Sequence, residues 1–134
     1  MKSYKLTEKN FKLFEKRCKF FVDKFGLINW ELHILKQSEC NDEDEGTSRA
    51  WTTASTGDKL AMIVINDEWD VEYSDYWLSR IAFHECLELL FWTIFEKLKK
   101  DKRKDEIIHN IIRVFEMNVF PYFFKEIQLL NKKK

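Results

Sequence analysis

The sequence predicts a single α+β domain over residues 1–134, with an N-terminal helix, a three-stranded, mainly antiparallel sheet, and two long helices that form a hairpin. Three observations carry this prediction. Apolar residues recur at helical spacing near both ends of the chain, they alternate at strand spacing in the middle, and Gly (3) and Pro (1) are too scarce for a loop-rich fold. A chain of 134 residues can bury a sizeable core without added cross-links.

The first helix is predicted from its start signal, its apolar face and its stop signal. Thr7 can cap the start, and Gly26 ends the helix. Between them the apolar residues recur at spacings of three and four: Phe11, Phe14, Cys18, Phe21, Val22 and Phe25.

Three strands are predicted in the middle of the chain. Residues 28–36 alternate between apolar and polar, as a half-buried strand does. Residues 49–56 and 60–65 flank a turn at residues 56–59 and therefore predict a β-hairpin. The second hairpin strand is apolar throughout and should be central. Residues 39–46 are acidic but lack the ligand spacing of a calcium loop, which favours a solvated connection.

Two long helices complete the predicted fold. Residues 78–95 are mostly apolar and indicate a buried helix, which Ser74 or Asp75 can cap. Basic residues 97–104 should turn the chain into a second helix over residues 105–130. Pro121 is expected to kink this helix or to end its first half.

Charge and cysteine content narrow the function classes. The formal net charge is zero, so the chain has no overall bias towards nucleic acid or membranes, and we expect neither as a partner. Cys18, Cys40 and Cys86 are odd in number and widely spaced, which argues against disulfides and cysteine-rich zinc sites. No signal peptide or membrane span is evident, so we expect a cytoplasmic protein.

A group of ionisable residues interrupts the buried helix at His84-Glu85-Cys86-Leu87-Glu88. Burying such groups without partners costs several kcal/mol, so they must be paired or bound to a cation. His84 and Glu88, at positions i and i+4, lie on one helix face. The string matches the zinc-protease helix His-Glu-x-x-His with glutamate in place of the second histidine. It therefore indicates a metal site, with Cys86 as a small core residue.

The second long helix offers a third metal ligand. A catalytic zinc takes three protein ligands and keeps a position for water. In an antiparallel hairpin His109 can approach His84 and Glu88, which gives two histidines and one glutamate. Glu85 is then placed to deprotonate the zinc-activated water.

Two further residues share a face of that helix with His109. Arg113 and Glu116 follow it at i+4 and i+7, where they would either support the ligands or pair with each other. The spacing also leaves open that Glu116 replaces Glu88 or His109 as a ligand. Glu106 lies nearby in the sequence.

Two alternatives to a zinc site stay open at this point. Buried His and Glu side chains could satisfy one another, or an arginine, through hydrogen bonds without metal. Glu106 and His109 also match the Glu-x-x-His element of di-iron bundles, although the strands in the middle of the chain argue against a four-helix bundle. Serine or cysteine nucleophile motifs and glycine-rich nucleotide loops are absent from the sequence.

Three segments together resemble a known family. Residues 51–66, the helix segment 81–90 and residues 106–120 are similar to small phage-encoded zincin-like metallopeptidases. The resemblance covers about the last two thirds of the chain and implies a minimal zincin-like fold. By position it implies that His84, Glu88 and His109 bind metal and that Glu85 is the catalytic base. Glu88 stands where zincins usually have histidine.

The leading functional prediction is a zinc metallopeptidase-like hydrolase that acts on a peptide or protein in the cytoplasm, the host cytosol if the chain is phage-encoded. The alternative is a non-catalytic protein on the same fold that binds and inhibits a host or defence protein. An aromatic surface could serve such binding, although ordinary packing would also explain its residues: Trp69, Tyr73, Tyr76 and Trp77.

Overall fold

The computed structural model describes residues 2–38, 41–42, 46–55, 57–95 and 103–133. They form an α+β domain with an N-terminal helix, a small mixed sheet and C-terminal helices, which confirms the predicted class. The helices are α1 (Glu8–Lys24), α2 (Asp75–Phe95), α3 (Lys104–Asn118) and α4 (Phe120–Lys132). The strands are β1 (Tyr4–Lys5), β2 (Glu31–Gln37), β3 (Asn41–Asp42), β4 (Gly46–Thr47), β5 (Ala50–Ser55), β6 (Leu60–Asn66) and β7 (Glu68–Trp69).

Helix α1 begins and ends where the sequence predicts. The Thr7 hydroxyl accepts the backbone N–H of Asn10 at 3.1 Å, so it satisfies one of the free donors of the first turn. Gly26, just past the end, has a φ of +69°, a conformation that glycine adopts at little cost. The helix buries its predicted apolar face, including Phe14 and Phe21, against α2.

The main sheet has the strand order β2-β6-β5, which places β6 in the centre as predicted. Strands β5 and β6 form the expected antiparallel hairpin, whereas β2 runs parallel to β6. The sheet is therefore mixed, with one parallel and one antiparallel pair, rather than mainly antiparallel. A tight turn dictates the direction of the hairpin, but no such turn joins β2 to β6, so local sequence leaves that pairing open.

Helix α2 is the central element of the core. Ser74 caps it, because its hydroxyl accepts the backbone N–H of Trp77 at 3.2 Å. The helix packs against α1, against β5 and against both C-terminal helices. Cys86 is fully buried within it, as predicted, and both Cys18 and Cys86 are free thiols. Cys40 lies outside the described residues.

The long helix predicted after α2 is divided into two helices next to Pro121, which is one of the two outcomes expected for that residue. The break falls at Val119, and Pro121 lies in the first turn of α4, where its missing N–H costs nothing. Helix α3 runs back along α2, so the predicted hairpin is confirmed. The predicted basic turn lies largely outside the described residues, which omit residues 96–102. Within the described part of the chain, every helix is too short or too polar to traverse a bilayer.

Candidate metal centre

The interface between α2 and α3 brings together the three predicted ligands. One atom each from His84, Glu88 and His109 lie within 4.8 Å of one another. Glu88 Oε1 is 3.4 Å from His84 Nε2 and 3.1 Å from His109 Nε2, so one carboxylate oxygen faces both imidazoles. Helical spacing places His84 and Glu88 on one face of α2, and the hairpin supplies His109.

Both histidines are oriented through their other ring nitrogen. His84 Nδ1 is hydrogen-bonded to Glu116 Oε1, and His109 Nδ1 to the backbone carbonyl of Asp105 at 2.8 Å. Because a carboxylate and a carbonyl only accept, both Nδ1 atoms carry the proton. Metal-binding histidines are held in this manner, with one N–H donated to an oxygen and the other nitrogen left for the ion.

The donor set consists of residue types that bind zinc, and two of its three ligand separations are close to those of a tetrahedral site, while all three atoms lie within 4.8 Å of one another. Two imidazole nitrogens and one carboxylate oxygen are ordinary zinc ligands, bound at about 2.0–2.2 Å. In a tetrahedral site such bonds separate neighbouring ligand atoms by about 3.3–3.6 Å. The separations of 3.4 Å and 3.1 Å around Glu88 Oε1 lie close to that range. His109 is half-exposed, so water and ligands reach the cluster from its side.

The cluster carries a strong electrostatic preference for positive charge. Burial alone would lower the pKa of His84, but its hydrogen bonds to Glu116 and Glu88 raise that pKa to about 10. Burial would raise the pKa of Glu88 and of Glu116, yet the hydrogen bond from His84 lowers both. Two ionised carboxylates therefore surround His84, which carries a proton at neutral pH unless another cation takes its place.

Glu85 lies beside this cluster and faces the sheet. Its side chain is buried, and its Oε2 accepts the hydroxyl of Thr52 on β5 at 2.6 Å. Burial and the adjacent charge of Glu88 raise the pKa of Glu85 to about 8, although His84 and Thr52 act in the opposite direction. The interaction between these two carboxyls also raises the pKa of Glu85 and lowers that of Glu88.

The other residues singled out in the sequence have different positions. Glu116 binds His84 rather than joining the ligand group, and Arg113 is exposed on the same helix. The cation beside Glu116 is Arg80, whose Nε is 3.3 Å from Oε2. Glu106, which with His109 matched the di-iron element, is exposed.

Sequence reasoning missed Arg80 and Thr52. Arg80 precedes His84 by four residues, so its position on the same helix face was available as a signal. Thr52 gave no such signal, because its contact with Glu85 spans 33 residues.

The aromatic surface proposed from the sequence is largely packing. Trp69 is buried and stacks on Tyr73, and its indole N–H donates to the carbonyl of Arg49. Tyr76 is the most exposed member, and it also contacts the rings of Phe120 and Phe124.

Comparisons of this chain with models of known protein families, with curated protein sequences and with solved structures found no match. The resemblance to zincin-like metallopeptidases accordingly stays a prediction.

Proposed function

We propose that this protein is a zincin-like, metal-dependent hydrolase that binds a divalent cation, zinc by preference, through His84, Glu88 and His109. One observation carries the proposal: both imidazoles donate Nδ1–H to an oxygen and direct Nε2 towards the same carboxylate oxygen of Glu88. A structural ion pair with Glu88 needs only one oriented imidazole, whereas a metal site uses two imidazoles as ligands and orients both of them. The proposed setting is the cytoplasm.

The proposed reaction is hydrolysis of a peptide bond. Zinc supplies Lewis acidity, which makes water reactive at neutral pH and polarises a substrate carbonyl. Glu85 acts as the base: a divalent cation at the adjacent cluster would favour the ionised form of its carboxyl, which could then accept a proton from water and return it. Thr52 holds the Glu85 carboxyl in place through its hydroxyl, and Glu85 lies three residues from Glu88 on the same helix.

Strand β5 is the proposed docking edge for the substrate. It is an edge strand of the main sheet in the described part of the chain, and it packs directly against α2. A peptide can add to such an edge through backbone hydrogen bonds, which favours extended peptides of varied sequence. Thr52 links this strand to Glu85, so an added peptide would lie near the proposed base.

The first experiment tests metal binding. Purified protein is stripped with chelator, reloaded with zinc, and analysed for metal content and for thermal and urea stability. We expect one zinc per chain and a gain of about 4 kcal/mol in unfolding free energy when free zinc is 1,000 times its dissociation constant. His109→Ala should lose both effects and still fold, because His109 is half-exposed. Wild-type protein that binds no divalent metal would refute the proposal.

The second experiment separates catalysis from metal binding. Glu85→Gln keeps the shape of the side chain and removes its capacity to accept a proton. We expect zinc binding to persist while peptide hydrolysis, measured with a fluorogenic peptide library, falls by about 10² to 10⁴. Unchanged hydrolysis in this variant would remove Glu85 from the mechanism.

A non-catalytic protein that binds a host or defence protein is the second candidate. The burial of Glu85 against the sheet favours this candidate. Its hydrogen bond to Thr52 joins α2 to β5 and would stabilise the fold without any catalytic role. A Glu85→Gln protein with full biological activity would select this alternative.

A further inference from the structure

Arg80 contacts Glu116 beside the candidate metal centre, and the proposed function leaves it without a role. We propose that Arg80 is a positioning residue of this centre: it holds Glu116 in the orientation that fixes the His84 imidazole and leaves His84 Nε2 facing Glu88 and His109. The inference rests on the proposed function, because it assigns Arg80 a task in building the same metal site.

The carboxylate of Glu116 is shared between two donors. Its Oε1 accepts Nδ1–H of His84, and its Oε2 accepts Nε–H of Arg80 at 3.3 Å. Arg80 and His84 are four residues apart on α2, so both reach the same group on α3. With one donor on each oxygen, the carboxylate has a defined rotation about its axis. Glu116 bound to His84 alone would keep that freedom.

The guanidinium of Arg80 is itself held on more than one side. It lies 5.4 Å from the ring centroid of Trp77, and its NH1 group donates to the Tyr76 hydroxyl at 3.3 Å. Stacking on an aromatic face and a directed donor fork are properties of arginine that lysine does not reproduce. The side chain is 29 % exposed, so its interaction with Glu116 is only partly screened by solvent.

Arg49 provides a matched control. Its side chain is 28 % exposed, its guanidinium lies 4.8 Å from the centroid of the same Trp77 ring, and its partner is also a carboxylate, that of Asp70. The two arginines differ in one respect that matters here, since only the carboxylate beside Arg80 binds His84. Effects on folding, charge and Trp77 packing should therefore be common to both, and an effect on metal binding should be specific to Arg80.

The test compares Arg80→Gln, Arg80→Lys and Arg49→Gln with the wild type. Zinc affinity is measured by competition with a chromophoric chelator, ligand geometry by the visible absorption of the cobalt(II)-loaded protein, and folding by urea unfolding of the metal-free protein. We expect Arg80→Gln to weaken zinc binding about tenfold or more and to change the cobalt spectrum. Arg80→Lys should lie between it and the wild type, and Arg49→Gln should match the wild type.

Two results would overturn the inference: wild-type affinity and spectrum in Arg80→Gln, or an equal loss of affinity in Arg49→Gln. If Arg80→Gln does not fold, Arg80→Lys decides the matter, and a lysine variant with wild-type affinity and spectrum counts against the role. The failure of the proposed function looks different, because then the wild type itself binds no metal. Zinc binding that depends on His109 but not on Arg80 would leave the function standing and remove only this inference.

Discussion

Helix α2 carries two polar clusters that differ in design. At its first residue, Asp75 binds buried Arg17 through two hydrogen bonds of 2.8 and 2.7 Å, and Ser79 and Asn131 complete the set. One permanent cation meets one carboxylate there. About three turns further on lies the candidate metal centre with the carboxyls of Glu85, Glu88 and Glu116, and among the described residues the permanent cation paired with them is Arg80.

The difference lies in how each cluster reaches neutrality. The Arg17–Asp75 cluster is balanced by its own residues, and all its members have partners, as a structural ion pair requires. Among its described residues, the candidate metal centre reaches balance by taking up protons on His84 and Glu85, whose pKa values are raised to about 10 and about 8. Protons there occupy the place that a divalent cation would fill. Charge balance, rather than residue composition, thus distinguishes the structural ion pair from the candidate metal site on the same helix.

The strongest test of the comparison removes the carboxylate of the balanced cluster. Asp75→Ala leaves the guanidinium of Arg17, which is 4 % exposed, without its ionic partner. We expect a loss of about 3 kcal/mol in unfolding free energy, measured by urea titration, with zinc affinity unchanged. Asp70→Ala is the control, because the Asp70–Arg49 pair is exposed on the Asp70 side and should contribute less than about 1 kcal/mol. Equal losses in both variants would contradict the structural role of Arg17–Asp75.

A second test varies pH. Zinc affinity should depend on pH, because zinc would bind at the cluster whose charge is balanced by protons. Zinc must displace the proton of His84, and its pKa of about 10 means that the proton is present throughout the neutral range. Apparent zinc affinity should therefore rise at least about tenfold per pH unit between pH 6 and 8. Competition titrations at several pH values measure this, and calorimetry in buffers of different ionisation enthalpy counts the protons released. An affinity independent of pH would mean that His84 is not a ligand.

The smallest expected effect concerns the contact between Glu85 and the sheet. Thr52→Val is nearly isosteric and removes the hydroxyl that donates to Glu85 Oε2. Unfolding free energy at pH 7 should fall by about 1 kcal/mol, and the pKa of Glu85 should rise further, because the lost hydrogen bond lowers it. Thr53→Val on the exposed face of β5 is the control and should change stability by less than about 0.5 kcal/mol. A Thr52 variant as stable as this control would show that Glu85 does not depend on its donor.

The features that could be predicted from the sequence are those encoded at short range. The i, i+4 spacing placed His84 and Glu88 on one face, and the Thr7 and Ser74 caps and the β5–β6 turn each involve residues within one or two turns of chain. Placing His109 opposite them needed only the assumption of an antiparallel hairpin. Local periodicity was sufficient for each of these steps.

Features that depend on distant partners could not be predicted. The Arg17–Asp75 pair joins residues 58 positions apart. Strand β2 pairs with β6 although other strands, including β5, lie between them in the sequence. Helical spacing points to partners on the same helix, so it suggested Arg113 as the partner of Glu116. The actual partner is Arg80, which lies on the facing helix α2. Tertiary packing, rather than local preference, selected among these partners.

The break at Val119 has a consequence for how the protein would respond to a metal ion at the proposed site. Helix α3 carries His109 and Glu116 on a separate 15-residue segment, and Ile112 is its only fully buried side chain among those described. So short a helix is marginal by itself and depends on its contacts with α2. A metal ion coordinated by residues of both α2 and α3 would therefore hold α3 against α2. Metal release would lower the cost of its local opening, while α1 and the sheet keep their protection from hydrogen exchange.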